Sequence, residues 1–168
     1  MLIISDTNIL SSFAAGNALP LLFRLFPNTT ILVPPAAQQE LQTGLAYGKR
    51  YLAEILQSIA AGKLKIISLS NDERQAAAKL PAKLGAGERE AIAATQSRRG
   101  RLLSNDKQAL HYCKQHRINA MDLPLLLRLL WKRKIVSQAE VRTLIERMKA
   151  GENLQLNPEA LALIFPPS

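Results

Sequence analysis

The 168-residue sequence predicts an α/β fold in which a mainly parallel sheet is covered on both faces by helices. Three observations carry this. Short β-branched or apolar runs alternate with longer stretches of helical periodicity. Every expected strand is short. Proline and glycine fall at the joints between the two patterns.

In chain order, strands are expected at 2–5, 30–33, 64–67, 101–104 and 119–121, making a sheet of roughly five strands. Helices are expected at 8–15 and 18–26 after the first strand, and at 35–47 and 49–61 after the second. Two more follow the third strand, at 72–84 and 87–99, and one follows the fourth, at 106–115. Pro34 and Pro35 suit a first helical turn, where a missing N–H costs nothing, and Gly62 and Gly100 fall where helices should stop. After Met121 the strand signals end. Asp122 is placed to cap a helix to about residue 134, and Ser137 another to about residue 150. Leu125, Leu126, Leu129 and Leu130 recur at helical spacing, so this C-terminal helical hairpin should dock on the main body or on a second copy of the chain. A proline-punctuated tail from residue 151 is expected to be anchored by Leu161, Leu163, Ile164 and Phe165. The whole reads as a single domain, with a core over 1–122 and an extension over 123–168.

Composition narrows the function classes. With 48% hydrophobic and 21% charged residues, the chain has the balance of a globular protein and not of a disordered or fibrous one. Its most apolar run, 123–131, is broken by Pro124 and Arg128 and falls short of the roughly 20 residues that span a bilayer. No basic lead precedes an apolar region at the N-terminus, so no signal peptide and no membrane partner are expected, and the location should be cytoplasmic. Cys113 is alone and excludes an internal disulfide. His111 and His116 are five apart, not the spacing that puts two zinc ligands on one helix face. Neither Gly-x-Gly-x-x-Gly nor a phosphate loop occurs, which argues against a nucleotide cofactor. The 22 basic residues against 13 acidic ones give a formal charge of +9, which favours polyanionic partners. Arg98, Arg99, Lys107 and the run Lys132, Arg133, Lys134 are the candidate nucleic-acid contacts, although such a run is more often a solvated turn. Trp131 beside it could stack a base but more simply packs in the core.

Against this positive background four acids stand out. Asp6 and Asp106 each follow a strand and open a helix, which puts both at the edge of a parallel sheet where ligand crevices form. The plainer reading of each is a helix cap. Glu40 shares a helix face with Ala36, Ala37, Thr43 and Gly44, small neighbours that leave a carboxylate near packed chain; its plainer role is a boundary residue reaching water. Glu88 shares a face with Ala91, Ile92 and Thr95, whereas Glu90 lies on the other side of the same helix, so Glu88 is taken as the inward acid. Four carboxylates in one region repel and raise one another's pKa unless a divalent cation neutralises them. Magnesium takes such oxygen ligands and completes its octahedron with water and phosphate oxygens, which points to phosphodiester hydrolysis.

Asp6-Thr7-Asn8 after the first strand, Glu40 in Pro-Ala-Ala-Gln-Gln-Glu-Leu, Gly87-Glu88-Arg89-Glu90-Ala91-Ile92 and Ser104-Asn105-Asp106-Lys107 together resemble the motifs of the PIN-domain nucleases, over about residues 1–122. The resemblance implies a three-layer α/β/α sandwich whose acidic pocket binds one or two Mg2+ or Mn2+ ions and cuts RNA. Asp6, Glu40, Glu88 and Asp106 would be the ligands, directly or through water. Asn8 and Ser104 match polar positions that hold the acids or an attacking water, and Thr7 would cap the first helix. The chain is also similar to VapC-type toxins, which implies an antitoxin protein as partner and a homodimer; RNA processing or a non-cleaving binding role are the alternatives. In the toxins the third acid is often aspartate, so the longer Glu88 is expected to alter metal spacing. Asp122 is either a further pocket acid or the cap of the leucine-rich helix.

Overall fold

The computed structural model describes all 168 residues. Five parallel strands, β1 (Ile3–Ser5), β2 (Ile31–Val33), β3 (Leu64–Ile66), β4 (Arg101–Leu103) and β5 (Ala120–Met121), form one sheet in the order β3-β2-β1-β4-β5. Register pairs Ile3 with Ile31 on one side and with Arg101 on the other. Strands this short and apolar suit a sheet buried on both faces, and the side-chain period of two sends β1 into both layers. Ile3 joins a large core with Phe13, Leu22 and Leu126, while adjacent Ile4 joins a smaller one with Ile92, Leu102 and Cys113. Lys65 is exposed on the β3 edge, a charge that discourages further strand pairing.

The helices are α1 (Thr7–Ala15), α2 (Leu19–Leu25), α3 (Pro35–Ala46), α4 (Leu52–Ala60), α5 (Asn71–Lys79), α6 (Ala86–Ser97), α7 (Lys107–Gln115), α8 (Leu123–Lys132), α9 (Gln138–Glu152) and α10 (Pro158–Ile164). The α/β/α sandwich expected from the sequence is therefore present. Helix α5 ends at Lys79, not at 84, because Pro81 follows: Leu80 is forced to an extended ψ of 157°. The C-terminal extension holds three helices where a hairpin was expected. Asn157 accepts from Ala160 N–H at 2.7 Å and Pro158 occupies the first turn, so the tail starts α10. Leu126 and Leu130 are fully buried, so α8 docks on the main body, against α2 and α10, while α9 packs on α1. No helix is long and apolar enough to cross a membrane.

Strand order fixes where the chemistry sits. The chain runs outward through β2 and β3, then returns to the other side of β1 as β4. The connections leaving β1 and β4 diverge to opposite faces, α1 into the larger core and α7 into the smaller, and open a crevice at the strands' C-terminal ends.

Candidate active site

Asp6 leaves β1 into that crevice and is 1% exposed. It is both helix cap and site residue: Oδ1 accepts from Ile9 N–H at 3.2 Å, and Oδ2 accepts from the Ser104 hydroxyl. Ser104, fully buried after β4, also accepts the Asp106 N–H at 3.2 Å and so ties the two strand-end acids together. Asp106 caps α7, with Oδ1 accepting from Ala109 N–H at 2.7 Å.

The other two acids arrive on helices. Glu40 on α3 accepts from the Thr7 hydroxyl at 2.7 Å and from Gly87 N–H at 3.2 Å. Gly87 is buried so tightly against this carboxylate that a Cβ would stand 2.6 Å from Oε1. Glu88, half-buried in the first turn of α6, lies against Gly85. Its carboxyl is pushed above the usual range by burial and by the charges of Glu40 and Asp106. Burial, with a smaller contribution from Glu88, pushes Asp6 up to about 7 against the lowering effect of the Ser104 bond. Each acid thus feels at least one other, and Glu88 is common to all of them.

The ion pairs of the chain, Arg98 with Glu73 and Lys149 with Glu146, lie elsewhere, so no lysine or arginine neutralises the cluster. A divalent cation fits a donor set of this kind. No group of three acids, histidines or cysteines is arranged to chelate an ion by itself. An ion here would take one or two of the carboxylates directly and complete its shell with water or phosphate oxygens, which is magnesium's ordinary habit.

A family profile described as the PIN domain, DUF3368, matches residues 2–165. The chain belongs to the PIN-domain family. Members of this family are generally nucleases. Among solved structures, the PIN fold of this chain is similar to a chain of VapBC2 from Rickettsia felis, solved bound to a DNA fragment from the VapBC2 promoter. The TM-score is 0.55 at 17% identity, over 73% of this chain and 98% of that one. No curated protein matches the chain significantly in sequence.

Within this PIN domain the second tier of residues is placed differently from expectation. Thr7 does not cap α1. Asp6 has the extended backbone of a cap, so Thr7 is already helical and its hydroxyl reaches across to Glu40. Asn8 makes no side-chain bond to an acid and lines a neighbouring cavity. Asp122 caps α8 through Leu125 N–H at 2.9 Å. Of the six basic candidates only Lys107 stands at the acidic edge. Arg98 and Arg99 follow α6, which carries the chain about 15 Å away from Glu88 at 1.5 Å per residue, to the opposite edge of the sheet. There Arg98 pairs with Glu73 at 2.7 Å and donates to Ser68 O at 2.8 Å. Helix α8 likewise carries Lys132, Arg133 and Lys134 back to that edge, where Arg133 donates to Leu25 O at 2.7 Å and Lys132 lies 5.1 Å from the Trp131 ring centre. Trp131 itself donates to Ile164 O at 2.9 Å and holds α10 in place.

One supporting residue went unrecognised. Glu90 Oε2 accepts from Ala36 N–H at 2.7 Å and so caps α3 from α6. The signal was Pro34-Pro35 itself: a helix opening on prolines has no capping side chain of its own and needs an outside acceptor.

Proposed function

We propose that this PIN domain is a Mg2+- or Mn2+-dependent endoribonuclease that hydrolyses RNA phosphodiester bonds at the acid cluster, acting in the cytoplasm as the toxin of a toxin–antitoxin pair. The observation that carries the reading is a set of four carboxylates around Glu88, paired with no protein cation, in the crevice of a chain whose formal charge is +9. Asp6 and Glu40 are each held by two protein donors and are fixed before any ligand arrives, the preorganisation that positioning catalysis needs. A bound divalent ion supplies charge neutralisation for the phosphodiester and lowers the pKa of water. The positive field of the chain draws RNA toward a site that bare carboxylates would repel. The toxin role is supported by family membership and by the likeness to VapBC2, and it brings with it an antitoxin protein and a homodimer.

The test is cleavage of a panel of single-stranded and hairpin RNAs by purified chain in Mg2+, Mn2+ or EDTA, beside Asp6→Asn and Asp106→Asn. Metal-dependent cutting lost in both variants supports the reading. RNA binding with no cutting by wild type across the panel makes the chain a binding module instead.

A further inference from the structure

Outside the acid cluster, the half-buried carboxylate of Glu152 forms no ion pair. Glu152 ends α9 and accepts from the Ser12 hydroxyl. It lines a cavity of about 690 Å3 together with Asn8, Ser11, Lys49, Arg50 and Tyr51. Neither Lys49 nor Arg50 forms an ion pair with it, and both are exposed; the Lys49 charge favours the Glu152 carboxylate only from beyond contact distance, so the cavity presents a recessed acid with two cations at its rim. Burial pushes the Glu152 carboxyl above its usual range, as it does the phenol of Tyr51, on which Glu152 acts as a nearby charge.

The position ties this cavity to the cut. Asn8 on its wall is two residues from Asp6, and Lys49 also lines the groove along α3 that contains Glu40. The cavity therefore adjoins the acid cluster and the groove that holds Glu40.

Resting on the nuclease reading above, we propose that this cavity is a base-reading subsite for a guanine nucleotide flanking the scissile phosphate, with Glu152 accepting from the base and Lys49 and Arg50 holding phosphate. The volume is within the range of small-molecule sites. Cations alone would take any phosphate, but a recessed carboxylate repels phosphate and accepts only N–H or O–H donors. Single-stranded RNA offers base edges for this purpose, together with ring faces that stack on aromatic side chains such as Tyr51. Guanine presents two adjacent donors, N1–H and the N2 amino group, which match the two oxygens of a carboxylate. Adenine and cytosine place an acceptor beside their amino group, and uracil flanks its one N–H with carbonyls, so each sets a lone pair against Glu152.

The experiment is binding without cutting, by fluorescence anisotropy of 5′-labelled pentamers in full-length Asp106→Asn protein. The probes are UUGUU, UUAUU, UUCUU, UUUUU and UUIUU, where I is inosine, which lacks the N2 amino group. UUGUU is expected to bind about tenfold tighter than UUUUU, as one two-donor base contact provides, with inosine losing most of that preference. Glu152→Gln is expected to reduce the preference to less than about twofold while leaving UUUUU affinity in place, and Lys49→Ala with Arg50→Ala to weaken all five probes alike. Equal binding of the probes by the Asp106→Asn protein, or an unchanged guanine preference in Glu152→Gln, overturns the proposal. The inosine probe needs no further mutation, so the conclusion survives a variant that folds poorly. Guanine preference in a chain that cuts nothing would sink the nuclease reading and keep the subsite; cutting with no base preference would do the reverse.

Discussion

The Ser104 hydroxyl donates to Oδ2 of Asp6, across 98 residues of chain, and Ser104 Oγ in turn accepts the Asp106 N–H. One buried side chain therefore sets the relative position of the two acids that leave β1 and β4. Ser104→Ala removes both bonds inside the core. We expect a stability loss of about 1–2 kcal/mol in chemical denaturation. Cleavage should fall about 10- to 100-fold, the usual effect of deleting a residue that supports a metal ligand. Full activity in Ser104→Ala would show that Asp6 is positioned by its other contacts alone.

Thr7 holds Glu40 at 2.7 Å. Thr7→Val keeps the shape and removes the donor, while Thr7→Ser keeps the donor. The valine variant should lose about tenfold in activity and the serine variant little, since only the hydroxyl reaches the carboxylate. Equal loss in both would assign the effect to packing.

Gly87 separates stability from activity. It lies in the first turn of α6, where alanine is at least as good a helix former, so Gly87→Ala should melt no lower than wild type. Yet the new methyl would stand 2.6 Å from Oε1 of Glu40 and displace that carboxylate. A variant with an unchanged melting temperature and reduced RNA cleavage is the expected result; unchanged cleavage would remove Glu40 from the machinery.

The Glu73–Arg98 pair predicts a pH dependence away from the site. Glu73 is 3% exposed, caps α5 reciprocally with Ser70, and is lowered from 4.5 to about 2, chiefly by its hydrogen bond to Arg98. A depressed folded pKa contributes stability that is fully present above the unfolded value and is lost as pH falls through the folded one. Glu73→Gln should therefore be less stable than wild type by about 2 kcal/mol near neutrality. The gap should narrow between pH 4.5 and about 2. A gap constant over that range would show that the pair is not the source.

The sequence exposed the fold and the four acids for the same reason: strand ends and helix starts are local signals. Asp6 and Asp106 are legible because each follows an apolar run and precedes a helical one, and Glu88 because Ile92 marks the buried face of its helix. What was not legible depends on contacts distant in sequence. Nothing near Thr7 says that it faces Glu40 instead of capping, and nothing near Glu90 says that α3 needs its oxygen. Charge counting says nothing of where the six basic candidates stand: five of them lie away from the acids because a helix carries its two ends to opposite edges of the sheet, and Arg98 pairs with Glu73. Helix α10 was legible in Asn157-Pro158 and was missed because the flanking prolines read as an irregular tail.

On the proposed function, Asp6, Glu40, Glu88 and Asp106 form one cation site. Binding of Mn2+ to full-length protein, followed by electron paramagnetic resonance, tests it without any RNA. Saturable binding by wild type is expected, weakened at least about tenfold in Asp6→Asn and in Glu88→Gln and displaced by Mg2+. Equal Mn2+ affinity in wild type and both variants would contradict it.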